Sequence, residues 1–301
     1  MADGRVEPGV RYNALRLTLP QLVGETLKVD AAGAMKLVRE LMDDGFCRAN
    51  GWSVQMNIWG RDFAYGLADA FLRRRQPEEA AKVFDLWADW DGRLLPIGPR
   101  AKRIGLKIDF LRSRKVDVTP YLAGYLAVMR DCAKNGCMPD ERGDAKLRIW
   151  REEQGGMSVD VRLKGLFDLI DDRFMTHEFR AQATRLIPDA CTVEGKTDWA
   201  RVAAETLKAF AAGDWSSLWR NCYRRQNRTD LRLDALLEIV AKAEKAGAKQ
   251  IAADLLVKGA TALGYTKDAT KASVDKGGPD GFDARVKKLD EAMAKLGVAR
   301  Q

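Results

Sequence analysis

The stretch "RRRQPEEAAKVFDLWADWDG", residues 73–92, reads as the junction of two helices. Arg73 to Arg75 close one helix. Pro77 suits the first turn of the next, where a missing N–H costs nothing, and Glu78 and Glu79 sit at the positive end of its dipole. Ala80, Val83, Phe84 and Trp87 then recur at i, i+3, i+4 and i+7, which puts them on one helical face, and Gly92 offers a stop.

The same grammar is found upstream and downstream. In "DAAGAMKLVRELMDDGF" (30–46), Asp30 is an N-cap, Ala34, Leu37, Val38 and Leu41 share a face, and Gly45 ends the run. Each of these helices is preceded by another, over 11–27 and 56–75, so two helical hairpins follow one another. A third pair covers 99–115 and 119–136, and a fourth covers 141–154 and 159–175. A single hairpin cannot bury its own apolar face, and stacking supplies the missing core; the spacing therefore predicts an all-α chain built as an α-solenoid of helical hairpins.

The pattern changes near residue 180. "PDACTVEGKTD" (188–198) reads as a loop, and four further helices follow with short turns. Polar residues 266–281 read as a linker. A terminal helix over 283–297 carries Val286, Leu289, Met293 and Leu296 on one stripe, which should dock on this chain or on a partner. The expected organisation is a repeat region over 1–180, a C-terminal helical region over 181–265, and a linker with its amphipathic helix over 266–301.

The 301 residues are 46% hydrophobic and 31% charged, the composition of a folded chain, and their apolar runs are far shorter than the ~20 residues of a membrane-spanning helix. The N-terminus, with two acids in its first seven residues and no apolar core segment, reads as neither a secretory signal nor a transit peptide. Five cysteines, odd in number and set mostly in helical patterns, fit free thiols better than a disulfide framework. Cys132 and Cys137 lack a second Cys or His pair that would complete a zinc site.

The helix pairs resemble pentatricopeptide repeats, with the related tetratricopeptide repeat as second choice. The resemblance is carried by "VRYNAL" (10–15), "AMKLVRELMDDG" (34–45), "EEAAKVFDLWADWDG" (78–92) and "KNGCMPD" (134–140). In that family the first helices line a groove that binds single-stranded RNA, one base per repeat, through a polar residue early in the first helix and another at the repeat's end. The resemblance places Asn13 at the early position and Asn50 and Asp140 at closing positions. In the hairpin quoted above, Tyr65 is followed by Gly66 where the family has Asn or Thr, which turns the expectation from base readout toward a structural role. The resemblance thus implies a non-catalytic scaffold subunit of a large mitochondrial assembly, such as a ribosome, a respiratory complex or ATP synthase. The alternative it implies is an organellar protein that binds single-stranded RNA.

No cofactor, metal or catalytic residue is expected. The single histidine, His177, reads as a surface or helix-end residue, and the chain lacks a Gly-x-Ser-x-Gly motif, a phosphate loop, a dinucleotide fingerprint and a His/Glu metal pair. Charge carries the stronger signal. The net charge is +8, and residues 100–115 hold seven bases against one acid. On a helix, Arg100, Arg103, Lys107 and Arg114 fall within about 60° of one another, between apolar flanks, which predicts a basic edge open to an anionic partner. A second cluster places Arg224, Arg225 and Arg228 on the exposed side of Trp215, Trp219 and Tyr223, whose spacing suits a core stripe better than a stacking platform. Trp87 is expected in the core. Trp90, near the end of its helix, is expected at an interface with another subunit.

Overall fold

The structure is a computed structural model that describes residues 17–18, 20–21, 30–42, 53–89, 97–172, 175–212, 228–266 and 282–299, with the backbone alone for 37–42, 53–60, 228–230 and 282–284. The described residues are almost entirely helical, and the chain divides into two compact units, Met1–Glu141 and Arg142–Gln301. This boundary falls earlier in the chain than the change of pattern near residue 180.

The first unit holds α1 (Ala31–Met42), α2 (Ser53–Arg73), α3 (Pro77–Asp89), α4 (Ile97–Ser113) and α5 (Thr119–Asn135), and it ends in the first turn of α6 (Pro139–Glu153). The caps follow the sequence. Asp30 Oδ1 accepts from Gly33 N at 2.7 Å, and Glu79 Oε2, from α3, accepts from Ala31 N at 2.8 Å, so the start of α1 is tied to its neighbour as well as to its own cap. The expected face of α3 is buried: Ala80, Val83 and Phe84 have no exposure and Trp87 very little. Each large side chain so buried stabilises the unit by roughly 2 kcal/mol. Tyr65 of α2, Phe84 of α3 and Phe110 of α4 meet edge to face or tilted at centroid distances of 5.0–5.5 Å, which joins three helices at one point.

The second unit contains the rest of α6, then α7 (Val159–Ile170), α8 (His177–Arg185), α9 (Ile187–Ala190), β1 (Thr192–Val193), β2 (Lys196–Thr197), α10 (Trp199–Ala211), α11 (Arg228–Lys245), α12 (Lys249–Ala262) and α13 (Phe282–Leu296). One continuous core runs through it, from Leu163 and Leu166 of α7 through Leu236 and Ile239 of α11 to Leu289 and Met293 of α13. The terminal amphipathic helix therefore docks on its own chain, against α11 and α12, and Lys295 reaches Glu244 at 2.8 Å. The segment read as a loop contains a small antiparallel hairpin. Glu194 (φ 49°) and Gly195 (φ 77°) form its two-residue turn, and Thr192 pairs with Thr197.

Several helices end in the same way. After α2, α4, α11, α12 and α13, one residue adopts a left-handed conformation while the next N–H bonds back to a carbonyl in the last turn, as Gln76 does to Phe71 and Ala248 to Ala243. Glycine fills this position at 247, 264 and 297, but Arg75 and Lys115 fill it after α2 and α4. A side chain in that conformation costs about 1 kcal/mol that glycine avoids. Lys115→Gly should therefore raise the unfolding midpoint in urea, and Gly247→Ala should lower it by about 1 kcal/mol equivalent, both read by circular dichroism.

Candidate binding groove

Helices α3 and α4 run antiparallel, and their polar contacts form a ladder. Asp85 and Asp89, one turn apart on α3, face the basic stripe of α4. Lys107 Nζ donates to both Asp85 oxygens at 2.7 and 3.0 Å, and Arg100 Nε donates to Asp89 Oδ1 at 3.1 Å. Between them, Arg103 Nη1 donates to the Trp87 carbonyl at 2.6 Å, with its guanidinium carbon 5.1 Å from the centre of the Trp87 ring. That carbonyl lies in the last turn of α3, where no intrahelical donor remains, so the arginine caps the negative end of the helix. Just past the end of α4, Arg114 Nε donates to Asp69 Oδ1 of α2 at 2.8 Å. Asp69 also takes Arg73 from its own helix.

The expected open basic edge is therefore corrected. All four cations of the stripe lie on one side of α4, but that side faces α2 and α3: Arg103 and Lys107 are each only 6% exposed, and Arg100 and Arg114 are half exposed and bonded to carboxylates. The stripe is legible in the sequence and its partners are not, although Asp85 and Asp89 stand one turn apart in the preceding helix. Asn13, Trp90, Arg224 and Arg225 lie outside the described residues, and of Arg228 only the backbone, at the start of α11, is described.

Beside the ladder, α3, α4 and α5 enclose a groove of about 340 Å³. Asp85, Asp89, Arg100 and Lys107 form one wall. Pro120, Tyr121 and Gly124 of α5 form the other, over a floor that includes Ile104, Tyr125 and Val128. Lys107 Nζ also lies 5.1 Å from the centre of the Tyr121 ring. Burial pushes the Tyr121 phenol above its ordinary value, and the nearby carboxylates of Glu78, Asp85 and Asp117 push it further. Asp117 is itself held low by the hydroxyl and amide of Thr119, which it accepts at the start of α5. The arrangement combines charge of both signs with an apolar floor, the chemistry of a recognition surface.

The second unit spends its buried polar groups on packing. Arg180, 1% exposed, donates from Nη2 to the Asp172 carbonyl at 2.8 Å, and Lys146 pairs with the Asp172 carboxylate. His177 is the first residue of α8, at the helix end expected of it. Burial raises the Cys191 thiol to about 11, which keeps it protonated and unreactive at neutral pH. Among the described residues no group of three His, Cys, Asp or Glu side chains is placed to hold a metal ion, and no helix is long and apolar enough to cross a membrane. In comparisons with known proteins, no family model, no curated protein and no solved structure matches the chain.

The ladder predicts unequal consequences for its rungs. Arg103→Met removes a charged hydrogen bond and leaves the Trp87 carbonyl without that donor, and it should cost about 3 kcal/mol in urea unfolding. Arg100→Gln, at a half-exposed pair, should cost under about 1 kcal/mol in the same measurement.

Proposed function

We propose that the chain is a non-catalytic helical-repeat scaffold that holds other proteins, as a subunit of a large mitochondrial assembly. The packing of the first unit supports a stacked-hairpin arrangement. Second helix meets second helix where α1 lies against α3, and first helix meets first helix where Tyr65 and Asp69 of α2 touch Phe110 of α4 and Arg114 just past its end. These contacts between corresponding helices of successive pairs are the ones a solenoid repeats. The mitochondrial setting rests on the resemblance of residues 10–140 to pentatricopeptide repeats.

The observation that carries the choice of protein over RNA is the ladder itself. A phosphate backbone is held by cations that give up counterions to it, and the four cations of the stripe, Arg100, Arg103, Lys107 and Arg114, are already bonded to Asp89, the Trp87 carbonyl, Asp85 and Asp69. What the same helices leave accessible is a groove lined by two carboxylates already paired with two cations, over an apolar floor, which suits a protein segment better than a nucleic acid. Native electrophoresis of a mitochondrial extract tests the reading. The chain should migrate with a large complex, and ribonuclease treatment sorts the complexes: retention fits a respiratory complex or ATP synthase, and release fits a ribosome. Migration at the mass of a single chain contradicts the proposal.

A further inference from the structure

Two free thiols flank the end of α5. Cys132, in the last turn, is 1% exposed, and its Sγ donates to the Glu141 carbonyl at 3.6 Å. Cys137, two residues past the helix, is exposed. Between them, Gly136 donates from its N–H to the Cys132 carbonyl at 2.8 Å, and its extended conformation (φ −58°, ψ 135°) leads the chain away from the helix.

The turn closes on Glu141, in the first turn of α6. Glu141 Oε2 accepts from Met138 N at 3.2 Å, and the same carboxylate lies over Gly98 in the first turn of α4. The fit is so close that a Cβ at Gly98 would come within 1.8 Å of Glu141 Cδ. The N-terminus of α4, with its orphan N–H groups and positive dipole end, favours a carboxylate there. One residue thus fastens the whole turn: its carbonyl covers the Cys132 thiol, and its side chain joins Met138 to the start of α4.

We propose that the turn from Cys132 to Glu141 is a redox-sensitive latch, set by a small-molecule disulfide of the glutathione class. The exposed Cys137 thiolate attacks one sulfur of that disulfide, forming a mixed disulfide and displacing one small thiolate. Cys132, once the turn opens locally, attacks the Cys137 sulfur as its thiolate, and the second small thiolate leaves. Each cysteine proton ends on a released thiolate; the two cysteines lose two electrons and the reagent gains them. Oxidised Cys132 carries no hydrogen, so its bond to the Glu141 carbonyl is lost and the latch stays undone until a thiol reduces it.

The test incubates the full chain with oxidised glutathione, digests it with trypsin without reduction, and reads the linked peptides by mass spectrometry. Trypsin cuts after Lys134, between the two cysteines, so the disulfide joins peptide 131–134 to peptide 135–142. This linked pair should form in the wild-type chain, separate in dithiothreitol and be absent in Cys137→Ser. In the reduced chain, N-ethylmaleimide should label Cys137 about tenfold or more faster than Cys132, whose reaction waits on local opening. Gly98→Ala displaces only the end of the flexible Glu141 side chain, so circular dichroism should not change. The linked pair should nevertheless form about tenfold faster in that variant, the effect of losing a hydrogen bond to a charged group. Equal labelling of the two cysteines, a glutathione adduct on Cys137 with no linked pair, a link to another cysteine in its place, or an unchanged rate in Gly98→Ala overturns the proposal.

Discussion

A guanidinium and an ammonium buried in one helix constrain everything packed against it. Arg103 and Lys107 are almost fully removed from water, and an unpaired buried charge costs several kcal/mol, so α4 can sit only where the Trp87 carbonyl and the Asp85 carboxylate come within reach. That requirement sets the register of α3 on α4. Asp69 extends it to α2 through Arg114, and the Tyr65, Phe84 and Phe110 rings fill the space that the three helices then share. The groove follows from the same constraint: once α3 and α4 are locked, α5 brings Tyr121 to face their paired charges.

Much of the fold was legible because helical periodicity is a local property. The face of α3, the Asp30 cap, the closing arginines of α2 and the apolar stripe of α13 were all readable from spacing, and the structure has them in place. The exposure of the basic stripe was not readable. Whether Lys107 points to water or to Asp85 depends on which helix lies across from it, and the residues that decide this are separated by 22 positions in the chain. The sequence held a usable signal in Asp85 and Asp89, acids one turn apart in the neighbouring helix. The small hairpin at 192–197 did carry a signal, a Glu-Gly turn between threonine-containing pairs, but two-residue strands are too short to show alternation.

The second unit behaves differently from the first. Its helices share one core from α7 to α13, and its buried cations serve carbonyls and carboxylates within that core, as Arg180 and Lys146 do at Asp172. The terminal helix, expected to dock on this chain or on a partner, is used at home, against α11 and α12. The surface with the clearest recognition chemistry therefore belongs to the first unit, where charge of both signs borders an apolar floor.

On the function proposed above, the basic stripe of α4 holds this protein together and does not hold a nucleic acid. The most direct measurement is the salt dependence of binding between the purified chain and a labelled single-stranded RNA. If the stripe is structural, affinity near physiological salt is weak, and reversing the two half-exposed members, Arg100 and Arg114, leaves the slope of log affinity against log salt unchanged. Tight binding with a steep slope that flattens in the Arg100→Glu, Arg114→Glu chain would contradict the account.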